Sequence, residues 1–336
     1  MEPRRSLRRL GLSLALGAAV WAAQTRARAQ SLSPPFPSPG EAMVAPDLPL
    51  APARAGPRPD LAFGAYQRGF FMTALSEATK RLAANPKDAA AMTLIGEIYR
   101  DGLAVRRDVA EAVRWYRLAS ALGDSQAAFQ LGVVLLEGAP DVPRDRAAAQ
   151  AQFEKAGASN HPGALYNLGV LAIEGDGSGK SDFTKAADYF KRAALAGDDN
   201  GAYSYGVLLR QGRGVPLDIG ESAQWLKRAA DAGIIAGQVE YAIMLFNGVG
   251  IERNEVEAAK IFQKAAAHDN PIAQNRLAHL YLFGRGVPRD LVQAALWHNF
   301  AKAAGLQDPE LDAATAKLTP EQMTQVRALA QRQTEF

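Results

Sequence analysis

The chain is 336 residues long, 48% hydrophobic and 22% charged, a composition that can bury a large core and excludes whole-chain disorder. It holds no cysteine, which excludes disulfide staples and thiolate metal or redox centres. A formal charge of +3 and a pI near 9.0 invite a nucleic-acid or anionic-membrane partner, so where that charge lies decides the matter.

Much of it lies at the start. Arg4, Arg5, Arg8 and Arg9 precede an uncharged run of 14 residues over 10–23. That run falls short of the ~20 residues a membrane-spanning helix needs. Ala27-Arg28-Ala29 then places small residues at the −3 and −1 positions of a cut before Gln30. Residues 1–29 read as a secretory signal peptide, which predicts an exported, periplasmic or secreted protein with no stable membrane insertion. Arg4-Arg5 loosely echoes a twin-arginine signal, but Arg8 stands where an apolar residue is preferred, so general secretion fits better. Six of the 38 basic residues and one of the 35 acidic residues fall within residues 1–30, leaving 32 against 34, a net of −2. The basic character belongs to the leader, and the nucleic-acid reading lapses with it.

Residues 30–60 hold nine prolines and no apolar periodicity, and read as an extended, disordered linker. Residues 61–87, with Tyr66, Gly69, Ala74 and Pro86, resemble a tetratricopeptide-type hairpin that closes the N-terminal end of a helical array.

From residue 88 the chain repeats. A small residue recurs at Gly96, Gly132, Gly169, Gly206, Ala242 and Ala278, at intervals of 36 or 37. A glycine follows each by six residues, from Gly102 to Gly284, and a second small residue recurs from Ala119 to Ala301. Each unit reads as two helices. The first ends at the recurrent glycine, suited to a left-handed C-terminal position. The second starts at Asp108, Asp145, Asp182, Asp218, Asn254 or Asp290, where a side-chain oxygen can accept from the free N–H groups of the first turn. Glu111, Glu221, Glu257 and Gln293, three residues on, predict capping boxes in four units. These acids are caps rather than catalysts. The small residues predict close approach of paired helices, with Trp115, Phe153, Tyr189, Trp225, Phe262 and Trp297 filling the layer beside them. A lone hairpin cannot bury both faces, so the fold class is all-α, a right-handed α-solenoid of stacked helix–turn–helix repeats of about 36 residues.

Two stretches, AQNRLAHLYLFGRGVPRD in the sixth unit and GVLLRQGRGVPLD with WLKRAADAG in the fourth, resemble the Sel-one-like repeats, relatives of the tetratricopeptide repeats. The resemblance spans about residues 88–307. The loops GAPDVPRD and GDGSGKSD depart from it, as do Leu135, Ala172, Leu209 and Leu245 at the family's tyrosine. At the end, Thr319-Pro320-Glu321-Gln322 predicts another helix start, and residues 308–336 read as C-terminal capping helices.

No nucleophile elbow, phosphate loop or metal-ligand spacing is present, so no enzyme activity, metal or cofactor is expected. His161, His268, His279 and His298 read as surface or packing residues. The resemblance implies envelope roles: binding cell-wall enzymes, tuning a periplasmic sensor, or supporting secretion. The rival reading is an enzyme or binding protein acting on peptidoglycan or β-lactams. β-Lactam association belongs to a disulfide-rich subgroup, which this chain lacks the cysteines to resemble. The expected partner is a protein or peptide of the cell envelope, bound by a monomer. If the first helices line a concave face, the positions −3, +1 and +4 from each small residue form a stripe. From it come the candidate contacts Phe129, Tyr166, Tyr203, Val239, Phe246, Arg100 and Arg210. The competing reading is that these side chains are buried between repeats.

Overall fold

The computed structural model describes residues 60–175 and 180–334. The signal peptide expected over 1–29 lies outside them, as does the linker over 30–60 apart from Asp60. Sixteen α-helices fill the described residues. Helices α1 (Leu61–Gln67) and α2 (Phe71–Ala84) precede the array. The six units are α3 (Ala89–Asp101) with α4 (Val109–Ala121), α5 (Ser125–Glu137) with α6 (Arg146–Ala158), and α7 (Pro162–Glu174) with α8 (Phe183–Leu195). They continue as α9 (Asp199–Gln211) with α10 (Ile219–Asp231), α11 (Ile235–Asn247) with α12 (Glu255–Ala266), and α13 (Pro271–Phe283) with α14 (Leu291–Ala303). Helices α15 (Pro309–Thr315) and α16 (Pro320–Thr334) close the series.

The second helices begin as their sequence dictates. Asp108, Asp145, Asp182, Asp218, Asn254 and Asp290 each accept from the N–H three residues on, at 2.8–3.0 Å. The capping boxes, however, are only half built. Each cap's own N–H donates to the carbonyl three residues past the small marker of its first helix, at 2.8–3.1 Å. With that donor taken, Glu111, Glu221 and Glu257 turn outward to Arg114, Trp225 and Lys260. The box expected at Thr319 does form, with Thr319 N–H on Gln322 and Gln322 N–H on Thr319.

First helices end in left-handed glycines at Gly102, Gly212, Gly248 and Gly284. In the second and third units, whose loops are one residue longer, Gly138 and Gly175 keep a positive φ but leave with extended ψ of 166° and −179°. The first helices have caps of their own, which the marker spacing does not announce: Asp88, Asp124, His161, Asp198 and Asn270 each accept from the first turn.

Within a unit the helices touch because the marker has almost no side chain. A Cβ on Gly96, Gly132 or Gly169 would lie 2.5–2.6 Å from the ring of Tyr116, Phe153 or Phe190. Leu226 takes the same place over Gly206 in the fourth unit. These rings, with Phe262 and His298 at the same offset, are at most 2% exposed. The expected layer residues are therefore right at Phe153 and Phe262 and one position early elsewhere. Trp115, Tyr189 and Trp225 are only partly buried, beside the side chain that meets the marker, and Trp225 lies edge-on to Tyr205 of its first helix at 5.7 Å.

Successive second helices are tied by cations reaching back one unit. Lys155 donates to Ser120 O, and Arg192 to Gly157 O at 3.1 Å, satisfying carbonyls at the preceding helix end. At the N-terminal end Ala62, Ala65, Ala74 and Ala78 pack on Leu94, Ile95 and Ile98. At the other end Leu311 is fully buried, and α15 is held by two histidine–carboxylate contacts, His279 to Asp308 at 2.8 Å and His298 to Asp312 at 2.9 Å.

Candidate functional site

Because the marker faces its own second helix, the −3, +1 and +4 positions look towards the neighbouring first helix as well as outward. The stripe is accordingly not an open groove. Tyr166 is 9% exposed, Val239 5% and Val207 3%. Tyr166 packs its ring on Phe190 with centroids 5.6 Å apart, and burial pushes its hydroxyl up to about 12 while Ser204 bonds it. Tyr166 and Val239, expected from sequence to be partner contacts, are thus buried, Tyr166 between Phe190 of its own unit and Ser204 of the next.

The remaining candidates are half-buried and keep an open edge. Phe129 stacks on His161 at 4.5 Å and leans on Phe153. Tyr203 is pushed up to about 12, by burial first and then by Glu240. Phe246 carries the Arg285 guanidinium 4.1 Å above its ring. Arg210 reaches the next first helix, its Nη1 2.6 Å from Glu240 Oε2. Arg100 does the same towards Gln130 at 2.5 Å, while Asp101 accepts from its Nε and Nη2 at 2.7 and 2.9 Å.

These arginines disclose residues that sequence reasoning missed. A row of polar side chains joins one first helix to the next: Glu97 with Gln126, Gln126 with His161, Arg100 with Gln130, Arg210 with Glu240. The available signal was the recurrence of a +4 cation with a polar residue two places before the next marker. At the C-terminal end Asn275 and His279 both bond Asp308 Oδ2. Burial opposes ionisation of Asp308, but these hydrogen bonds outweigh it and hold the carboxyl well below the usual range.

The arrangement places rings, cations and carboxylates side by side, the kinds of group that protein interfaces use. Among the described residues no group of three or more histidine or acidic side chains could hold a metal ion. None of their helices is long and apolar enough to cross a membrane.

The Sel1 repeat matches this chain six times in succession, at residues 89–124, 125–161, 162–198, 200–234, 235–270 and 271–306. No curated protein is similar to it. Among solved structures, a Sel1 repeat protein from Oxalobacter formigenes is similar at 26% identity and a TM-score of 0.60, over 74% of this chain and 99% of that one. The fold is also that of c5321, a protective antigen of uropathogenic Escherichia coli, at 24% identity and a TM-score of 0.52, over 82% of this chain and 67% of that one.

Proposed function

Since the chain belongs to the Sel1 repeat family, we propose that it is an exported, non-enzymatic scaffold that holds a cell-envelope protein along the row of first helices. The half-buried row of Phe129, Tyr203, Phe246, Arg100 and Arg210, backed by a rigidly phased stack, is the observation that carries this reading. Such a face supplies aromatic anchors and charged rims without demanding a deep pocket. The leader-like segment with Arg4, Arg5, Arg8 and Arg9 supports export to the periplasm, where a cysteine-free array is held by packing and hydrogen bonds without disulfides. Partners with cell-wall, signalling or secretion roles suit that compartment, and one copy of the chain suffices to present the face.

The test is crosslinking in the native envelope followed by identification of the captured proteins. The reading expects one recurrent protein partner, lost when Tyr203 and Phe129 are both changed to alanine in a protein that still folds. Turnover of peptidoglycan or a chromogenic β-lactam by repurified protein would overturn it in favour of an enzyme.

A further inference from the structure

The near-neutral charge left after the leader conceals an uneven distribution. On the six second helices nine exposed lysines and arginines stand against four exposed acids, Glu154, Asp188, Asp231 and Glu257. The half-buried charges of those helices cancel, Arg146, Arg192 and Arg228 against Glu111, Glu221 and Glu255. On the six first helices the balance is reversed, with Arg276 the one exposed cation against Asp101, Glu137 and Glu174. The two rows of helices thus differ in sign. The basic row is not the one that carries Phe129, Tyr203 and Phe246.

The second helices lie side by side. Lys155 donates to Ser120 O, Ser120 Oγ to Gln152 at 2.8 Å, and Arg192 to Gly157 O. Three of the four acids are engaged along their own helix, Asp188 with Arg192, Asp231 with Lys227 and Glu257 with Lys260. Among the described residues no carboxylate lies within ion-pair distance of Arg117, Lys191 or Lys264. A second kind of group shares this surface. Leu118, Leu195 and Val256 are 51%, 67% and 56% exposed. Each stands four residues from an exposed cation, Arg114, Lys191 and Lys260 respectively, and so on the same helix face.

An acidic polypeptide would call on the cations alone. Large apolar side chains raised among lysines suit the headgroup boundary of a bilayer, which takes positive charge and apolar surface together. We propose that the outer face of the second helices docks reversibly on a bilayer of anionic phospholipid. The lysine and arginine stems lie along the boundary with their charged ends among the phosphates, and Leu118, Leu195 and Val256 enter it. This docking uses no residue of the first helices, so it goes beyond the scaffold reading and does not rest on it.

The chain has no cysteine, so Leu118→Cys or Leu195→Cys takes an environment-sensitive fluorophore at one site. The full chain so labelled is titrated with vesicles of mixed phosphatidylglycerol and phosphatidylcholine. Both labels are expected to shift to the blue and brighten, and to do neither with phosphatidylcholine alone. The same label at Ile272→Cys, on the first helix α13, should stay unshifted. Binding through residues 10–23 alone would move none of the three. Arg117→Gln, Lys191→Gln and Lys264→Gln combined should weaken partitioning about a hundredfold, about fivefold for each cation, with the helical circular dichroism unchanged. If that variant loses its helical signal, Lys264→Gln alone reads the same effect as about a fivefold loss. Arg276→Gln should leave partitioning as it is. Raising salt from about 0.1 to about 1 M, which shortens the screening length from about 10 to about 3 Å, should release the protein. No shift with anionic vesicles, an equal shift with phosphatidylcholine, an equal shift at Ile272→Cys, or a folded cation variant that binds as wild type would each overturn the docking. Binding of soluble polyglutamate as tight as that of the vesicles would overturn it in favour of an acidic polypeptide.

Discussion

Replacing Phe190 with alanine probes what welds a hairpin together. The ring is 1% exposed and lies so close over Gly169 that a Cβ there would stand 2.5 Å from it. Tyr166 flanks it at 5.6 Å, and the glycine beneath cannot grow to fill the space. Transfer of a buried Phe side chain accounts for about 1.5–3 kcal/mol. The cavity left between stiff helices brings the loss to about 3–5 kcal/mol. With an m-value of about 3 kcal/mol per molar urea, the midpoint should fall by roughly 1 M or more. Urea unfolding followed by fluorescence is well suited, because Trp115, Trp225 and Trp297 report on the first, fourth and sixth units. In a quasi-one-dimensional stack, weakening the third unit should also part the Trp115 signal from the other two. The control is Tyr189→Ala at the partly buried neighbour, expected to cost about half as much or less. Equal losses at Phe190 and Tyr189, or a loss under about 1 kcal/mol at Phe190, would refute the ring-on-glycine account.

Three further outcomes come from the same geometry. Asp218→Ala removes the acceptor for Glu221 N–H at 2.8 Å and should cost about 1 kcal/mol in chemical denaturation, with Asp218→Asn largely neutral. Gly286→Ala drives a Cβ into Glu255 O at a φ of +71°, and should lower the melting temperature by several degrees, with a cost of about 1–3 kcal/mol. Asp308 has its pKa depressed in the folded state, so its contribution is present above the unfolded value of about 4 and is lost as pH falls through the folded value. The protection of α15 amides against hydrogen exchange, measured relative to the intrinsic rate at each pH, should therefore fall on acidification below about pH 4, and Asp308→Asn should flatten that dependence.

What the sequence disclosed depended on which contacts are local. Marker, glycine and cap recur at nearly constant spacing, and each acts within one hairpin, so the phase of all six units could be read directly. The capping boxes were over-read, because the competing acceptor for the Asp108 or Asp218 N–H, the carbonyl of Tyr99 or Leu209, lies on the other helix of the hairpin. The ring layer was off by one where two large side chains stand together, as in Trp115-Tyr116 and Tyr189-Phe190. Adjacent residues of a helix differ by about 100° in direction, and nothing local decides which one meets the glycine. The binding stripe was the least legible feature. Tyr166 is enclosed by Phe190 of its own unit together with Ser204 of the next, and Glu97, Gln126 and His161 come together from three different units. Those placements depend on how units lie side by side, which no spacing within a unit encodes.

The cations between units reach both ways. Lys155 and Arg192 close on carbonyls of the preceding unit, and the glycine loop of the sixth unit rests on Glu255 of the fifth. For those contacts a chain growing from its N-terminus finds the receiving surface already laid down. Arg100, Arg146 and Arg210 instead donate to the unit that follows and wait for it. Each junction is thus stitched from both sides, so removing a unit from either end leaves an acceptor or a cation without its partner.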